Sequence, residues 1–205
     1  MKQVDPRSSF FDGIAARWDG WHDLEAVAAQ LAAGIAELGI GKAETVVDVG
    51  CGTGNLAKAL AERLDEKGRV VALDISEGML EAARAKVRDP RIAWHRADAS
   101  SLPLGKGEAD RVVFLSVWPH IEDKAAAAAE AWRVLRPGGL AHVWHLSGRD
   151  QVNAVHASGG EAIRNDLLAP AVNTAAVLTE GGFVVTAVID EVDRYLVSAA
   201  KPNRR

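Results

Sequence analysis

The run TVVDVGCGTGNLAKAL, residues 45–60, limits what this chain can fold into more than any other stretch. Thr45, Val46, Val47 and Val49 favour extended backbone and read as a buried strand, which the glycines at 50, 52 and 54 break into a tight turn. Residues 55–64 then read as a helix. Glycine serves the turn in two ways: it tolerates positive φ, and it lets backbone approach a ligand without a Cβ in the way. A strand, a glycine turn and a helix N-terminus form a cradle of nucleotide shape.

A glycine turn alone serves both dinucleotide and adenosylmethionine enzymes, and the following segments sharpen the reading. A second buried strand, residues 69–73, ends in Asp74, twenty residues after Gly54. A carboxylate there can accept hydrogen bonds from both ribose hydroxyls, so the spacing fits a nucleoside. Asp48 stands inside the first motif, and in IAWHRADASSLPL Asp98 follows directly after a short strand.

Together these residues resemble the class I S-adenosylmethionine-dependent methyltransferases, whose glycine motif is DxGxGxG rather than the GxGxxG of dinucleotide folds. The resemblance spans roughly residues 10–202. It is closest to the broad group that includes the ubiquinone and menaquinone biosynthesis methyltransferases, the type 11 methyltransferase domain. DVGCGTG matches the first motif, VVALDISEGMLEAARAK the second, and RADASSLPL the adenine-side acidic loop. ADRVVFLSVWPHI resembles the fourth strand, AWRVLRPGGLAHVWHL the helix, turn and fifth strand, and GGFVVTAVID with RYLVSAAKP the closing hairpin.

The resemblance implies an α/β, doubly wound, Rossmann-like sheet of seven strands, mostly parallel with an antiparallel C-terminal hairpin. It implies S-adenosyl-L-methionine as cofactor and displacement at its methyl carbon. Asp48 and the turn Gly50, Cys51, Gly52, Thr53 and Gly54 are then expected at the amino-acid end and ribose side, and Asp74 on the ribose. Ile75 and Met79 are expected against adenine, and Asp98 accepting from the adenine amino group with Ala99 beside it. Ser116 and Trp18 complete the cofactor set. Cys51 reads as a small turn residue rather than a nucleophile.

Helical and extended patterns alternate as a doubly wound sheet requires. Helices are expected over residues 24–38, 77–87 (with Ser76 as N-cap) and 123–135, the last stopped by Arg-Pro-Gly-Gly. Further strands are expected over 91–95, 111–117, 140–146, 183–189 and 194–199, the last two close enough to pair as a hairpin. With 205 residues, 48% hydrophobic, the chain can bury the core of one domain. Its divisions read as N-terminal lid helices (1–40), a cofactor-binding core (41–146), a substrate-side insert (147–181) and the closing hairpin (182–200).

The net charge of −4 gives no general attraction to phosphate backbones, and the basic tail Lys201, Asn203, Arg204 and Arg205 is too short to change that. Nucleic acid is therefore not expected as a partner. One cysteine excludes an internal disulfide, and no apolar run reaches membrane-spanning length. The first ten residues lack the apolar core of a secretory signal, so a cytoplasmic monomer or homodimer is expected.

Three groups are candidates for the acceptor side. In FFDGIAARWDGWHD, Phe10, Phe11, Trp18 and Trp21 are spaced like the apolar side of a short amphipathic helix, which the resemblance makes a lid. SVWPHIED carries Trp118 and His120 just after the fourth strand. HVWHLSGRDQVNAVH ends the fifth strand in His145 and places His156 on a following helix. His145 with His156 is a candidate base; strand alternation sends His142 to the opposite face. Asp166 is the one obvious further metal ligand, short of the three or four a metal wants, so no metal is expected.

The insert is modest, which favours a small-molecule acceptor, and Trp18, Trp118 and Trp144 suit an apolar, aromatic or cationic one. Two other readings stand beside methyl transfer: a non-catalytic cofactor-binding accessory subunit, and a nicotinamide-dependent oxidoreductase. The GxGxG turn and the closing hairpin speak against the oxidoreductase.

Overall fold

The computed structural model describes residues 5–203; residues 1–4, and Arg204 and Arg205 of the basic tail, lie outside the described residues. The chain has the expected fold class: seven strands in the order β3-β2-β1-β4-β5-β7-β6, mostly parallel, with antiparallel strands at the C-terminal end. It divides into two compact units, Met1–Ala97 and Asp98–Arg205.

In the first unit three parallel strands, β1 (Thr45–Val49), β2 (Arg69–Asp74) and β3 (Ile92–Arg96), pair in the order β3-β2-β1. Their apolar runs are buried with α3 (Asn55–Arg63) and α4 (Glu77–Lys86), so Val46, Val47, Leu56, Leu60, Leu73 and Leu80 are fully shielded. Parallel strands covered on both faces read as continuous β-branched runs, which is why β1 was legible. Ser76 caps α4 as expected, its Oγ accepting from the Met79 N–H at 3.1 Å. α2 (Leu24–Glu37) starts at Asp23, whose carboxylate accepts from the N–H groups of Glu25 and Ala26, and stops before Gly39.

The N-terminal aromatic run departs from the expected single amphipathic helix. α1 (Pro6–Trp18) ends before Gly20, and a short 3-10 turn (Asp19–Trp21) follows. Trp21 is therefore off the helix and 56% exposed, though its ring still meets Trp18 at 6.0 Å. Glycine's poor helix propensity ends the periodicity that spacing alone would continue.

The second unit holds β4 (Ala109–Leu115), β5 (Leu135–His145), β6 (Val184–Asp190) and β7 (Tyr195–Ala200), with α5 (Lys124–Val134), α6 (Arg149–Ser158) and α7 (Ala171–Glu180). β4 and β5 run parallel, β6 and β7 pair as the antiparallel hairpin that the two C-terminal runs predicted, and β7 also pairs antiparallel with β5. β4 begins two residues earlier than expected, where Ala109 pairs with Leu135, and ends two residues earlier, where Ser116 adopts φ +53 and turns the chain away. β5 begins five residues earlier: Leu135 pairs with Ala109 before a register shift brings Leu140 opposite Arg111. The buried Lys201 amine holds this junction, donating to the Trp132 and Leu135 carbonyls at 2.6 Å each. These are carbonyls that the end of α5 leaves unsatisfied. No helix among the described residues is long and apolar enough to cross a membrane.

Gly54 caps α3 at φ +82, and a Cβ there would stand 2.8 Å from the Trp94 ring and 3.1 Å from the Ala83 methyl. Backbone strain and overpacking act together at this position. Gly54→Ala should lower stability by about 1–3 kcal/mol, read as a shifted midpoint in urea denaturation with an unchanged slope.

Candidate functional site

The chemistry-bearing residues of the first unit collect at the carboxyl ends of its parallel strands, where open α/β sheets bind ligands. After β1 the N–H groups of Gly50 and Cys51 both donate to the Leu73 carbonyl, at 2.8 and 2.9 Å, tying the glycine turn to β2. Gly50, Gly52 and Gly54 all have positive φ. At the end of β2 the Asp74 carboxylate bridges two segments: Oδ2 accepts from the Gly52 N–H and Oδ1 from the Ser76 N–H, each at 2.9 Å. Burial raises the Asp74 acid above its ordinary range, against the N–H groups of Ser76, Gly52 and Ile75. A Cβ added at Gly52 would meet nothing within 4 Å, so the loop faces open space.

Asp48 sits deeper, 1% exposed, and neither carboxylate oxygen has a hydrogen-bond partner. Burial, and then the Asp74 charge, push its acid up to about 7. The Ala57 N–H, in the first turn of α3, pulls the other way without closing a hydrogen bond to either oxygen. An orphaned buried carboxylate costs several kcal/mol if it stays charged, so it calls for a cation or a proton. The Cys51 thiol is buried and pushed well above its usual range by that burial and by the two carboxylates, which makes it inert.

Two residues missed at the sequence level fasten α1 and its 3-10 turn to this region. Asp12 accepts from Ser76 Oγ at 2.6 Å and from the Gly78 N–H at 2.9 Å, and these bonds hold its carboxyl below the usual range. Asp19 accepts from Thr53 Oγ1 at 2.6 Å and from Lys86 Nζ at 2.7 Å. Burial opposes its charge, but Lys86, Thr53 and Asn55 outweigh that and keep its carboxyl low. The signal was present: Asp12 and Asp19 are seven residues apart, two helical turns. Thr53 thus spends its hydroxyl on Asp19 and Lys86.

The remaining candidates divide between the units. Met79 is buried in α4, and Ile75 is half-buried, its carbonyl accepting from Ser8 Oγ at 3.1 Å. Trp18 is half-buried, edge-on to Phe11. In the second unit Asp98 is exposed and turns its carboxylate onto the Ser100 N–H at 2.8 Å and the Ser100 hydroxyl at 2.5 Å. Ala99 is buried beside it, and Ser116 is exposed in its left-handed conformation.

Also in the second unit, the turn after β4, the end of β5, α6 and the loop before α7 bring three histidines and Asp166 together. His120 Nδ1 lies 2.9 Å from Asp166 Oδ2, and the His120 and His156 rings have centroids 4.6 Å apart. His156 Nδ1 bonds the Asp166 backbone carbonyl. His145 is 1% exposed, and its Nε2 is buried without a partner. Burial, then the neighbouring His120 and His156, push His145 down to about 3. Burial also leads the lowering of His156.

The carboxylate therefore pairs with His120, whereas the spacing singled out His145 and His156. His142, sent to the other face by strand alternation, bonds Ser198 Oγ at 2.9 Å and is buried. Trp118 is buried edge-on to Phe114. No group of three or more His, Cys, Asp or Glu among the described residues is placed to hold a metal ion.

Comparison with known proteins matches residues 46–139 to a family described as a methyltransferase domain. A ubiquinone/menaquinone biosynthesis C-methyltransferase of Klebsiella pneumoniae is 30% identical over 159 residues, covering 71% of this chain and 61% of the relative. The chain thus spans less than two thirds of the length of that relative. Among solved structures, an S-adenosyl-L-methionine-dependent methyltransferase assignment from Methanococcus maripaludis is 26% identical, with a TM-score of 0.71 over 100% of this chain and 97% of that one. A Haloferax volcanii protein solved with the Trm112 methyltransferase activator has the same fold, with a TM-score of 0.77 at 21% identity over 94% of this chain and 98% of that one. Motif order, family match and fold agree, and together they support a class I S-adenosylmethionine-dependent methyltransferase.

Proposed function

We propose that this chain binds S-adenosyl-L-methionine and transfers its methyl group to a small-molecule acceptor. The observation that carries the reading is the pair of buried carboxylates around an open glycine loop, one of them orphaned. Adenosylmethionine brings a ribose diol, an ammonium and a sulfonium, and these are the groups that such carboxylates satisfy. A dinucleotide would bring a pyrophosphate to the glycine turn beside the buried Asp48, where like charges at short range repel by several kcal/mol, whereas Asp74 would suit the ribose of either ligand. The residues present fit the first ligand and oppose the second.

Asp74 would hold the ribose with oxygens already oriented by Gly52 and Ser76. Asp48 and the turn Gly50–Gly54 would hold the amino-acid end, and Ile75 and Met79 the adenine. We assign Asp98 and Ala99 to the adenine side, with Ser116 and Trp18 in the same set. The cofactor, when bound, supplies a methyl group already activated by a positive sulfur. The chain's own work is to hold the acceptor in line, exclude water and take a proton where the acceptor carries one. His120, His145 and His156 are proposed for the acceptor side. The acidic balance, the lone cysteine and the modest insert support a cytoplasmic enzyme with a small substrate rather than a nucleic-acid one.

Calorimetric titration with S-adenosylhomocysteine, with NADH as control, tests the reading: binding of the first alone is expected, and binding of NADH alone would sink it. Asp74→Ala should weaken S-adenosylhomocysteine by about 1.5–3 kcal/mol through loss of charge-assisted bonds, with folding retained by circular dichroism. An unchanged affinity removes Asp74 from the site.

The buried Asp48 makes a second check. Its folded acid is pushed up to about 7, well above the ordinary carboxylate value of 3.8, so its contribution to stability is full below that ordinary value and is lost as pH rises through about 7. Asp48→Asn should therefore be more stable than the parent at alkaline pH, on the order of 2–4 kcal/mol, and lose that advantage near pH 4. Thermal melts across pH measure the difference. Saturating S-adenosylhomocysteine, whose ammonium answers the carboxylate, should shrink the gap; a gap that does not depend on pH would contradict the buried charge.

A further inference from the structure

We propose that α1 braces the cofactor site: Asp12 and Asp19 are positioning residues that set the spacing of the two loops around Asp74, so that cofactor binding and docking of α1 strengthen each other. This rests on the cofactor-binding reading above and deepens it, from which cofactor is held to what controls its affinity.

The pattern aromatic-Asp-Gly occurs twice in the N-terminal segment, as Phe11-Asp12-Gly13 and Trp18-Asp19-Gly20. Seven residues make two helical turns, so a helix carries both carboxylates on one side, about 10 Å apart along its axis. α1 spans Pro6–Trp18 with Asp19 as its C-cap, and each carboxylate ends on a different loop beside Asp74.

Asp12 reaches the segment after β2. It accepts from Ser76 Oγ and from the Gly78 N–H, and the Ser76 N–H is in turn the donor to Asp74 Oδ1. Asp19 reaches the segment after β1. It accepts from Thr53 Oγ1 and from Lys86 Nζ, while Lys86 also donates to Thr53 Oγ1 at 3.1 Å and to Asn55 Oδ1 at 2.8 Å, which uses all three ammonium donors.

Thr53 lies between Gly54 and Gly52, the donor to Asp74 Oδ2, and both glycines have positive φ. Its side chain is therefore the handle by which that permissive half of the turn is held. Asp74 thus stands within a closed circuit that runs from Asp12 through Ser76 to Asp74, on through Gly52 and Thr53 to Asp19, and back along α1.

Polar bonds hold this helix, because its apolar anchorage is small. Of the thirteen residues of α1 only Ser8 and Ala15 are buried, and Ser8 also bonds a cofactor loop, its Oγ donating to the Ile75 carbonyl. An element with few buried apolar contacts opens at low free energy, separately from the core of its domain. Opening takes the acceptors away from Ser76, Gly78, Thr53 and Lys86 and loosens the loops that orient Asp74. A ligand that needs those loops in place favours the docked state, and by linkage docking favours the ligand by the same factor.

The sequence allows a test at constant charge and composition. Each aspartate is followed by a glycine at which an added Cβ would meet nothing within 4 Å. Asp12→Gly with Gly13→Asp, and Asp19→Gly with Gly20→Asp, therefore move each carboxylate off its partners without a steric cost. Calorimetric titration should show each transposed protein binding S-adenosylhomocysteine about tenfold more weakly than the parent, a size typical of coupling between sites. Lys86→Met should act in the same direction from the other end of the Asp19 bond.

Hydrogen exchange read by mass spectrometry supplies the reciprocal measurement. In the parent, saturating S-adenosylhomocysteine should slow the amides of α1 by the factor that transposing both aspartates costs in affinity. In the doubly transposed protein the ligand should leave α1 exchange unchanged, and β1 and β2 should exchange as in the parent when no ligand is present.

An affinity equal to the parent's in both transposed proteins would overturn the proposal. So would α1 amides of the parent that exchange at one rate with and without S-adenosylhomocysteine, a result that needs no variant to fold. Affinity lost together with protection in β1 and β2 would make Asp12 and Asp19 purely structural and overturn it as well. Failure of S-adenosylhomocysteine to bind the parent would instead remove the cofactor reading on which it stands.

Discussion

Asp74 is the group on which the geometry of the first unit's glycine turn depends. Its two oxygens are bonded to backbone N–H groups from different segments, Gly52 in the turn after β1 and Ser76 at the cap of α4. Each bond to a charged acceptor is stronger than an ordinary one, and together they fix the separation between the glycine turn and the helix start. The same carboxylate raises the cost of charging Asp48, so the turn's geometry and its electrostatics share one origin. Without that bridge, a loop with three positive-φ glycines would have many conformations to choose from.

Around this bridge the structure spends hydrogen bonds unevenly. Asp12 and Asp19 are fully engaged with Ser76, Gly78, Thr53 and Lys86, which leaves them as fasteners for the N-terminal segment. The Asp48 carboxylate oxygens have no hydrogen-bond partner. Buried polar groups are nearly always paired, so such a contrast between neighbouring carboxylates separates architecture from ligand chemistry. The second unit repeats the contrast: His142 is satisfied by Ser198, while His145, three residues on, keeps an unpartnered nitrogen beside the His120–Asp166 pair.

The fold was legible wherever periodicity and capping agreed. β1, β2, α4 with its Ser76 cap, and the C-terminal hairpin follow from local patterns that packing reinforced. The misplaced boundaries share a cause: contacts distant in sequence decided them. Leu135 joins β5 because Ala109 and the Lys201 amine are there to receive it, and Gly20 separates Trp21 from a helix that aromatic spacing had extended over it. The site was legible to the same degree. Asp48, Asp74 and the glycines announce themselves by order and spacing, whereas Asp166 lies forty-six residues from His120 with no motif linking the two.

The sequence by itself determined the fold class, the resemblance to methyltransferases and the glycine turn, because a glycine turn between a buried strand and a helix is specified by local backbone requirements and repeats in a recognisable order. The tertiary structure alone decided which carboxylate is orphaned, which aspartates fasten the N-terminal segment, and which histidine receives a carboxylate partner. Those properties depend on distances and burial between residues far apart in the chain, and spacing along the sequence does not encode them.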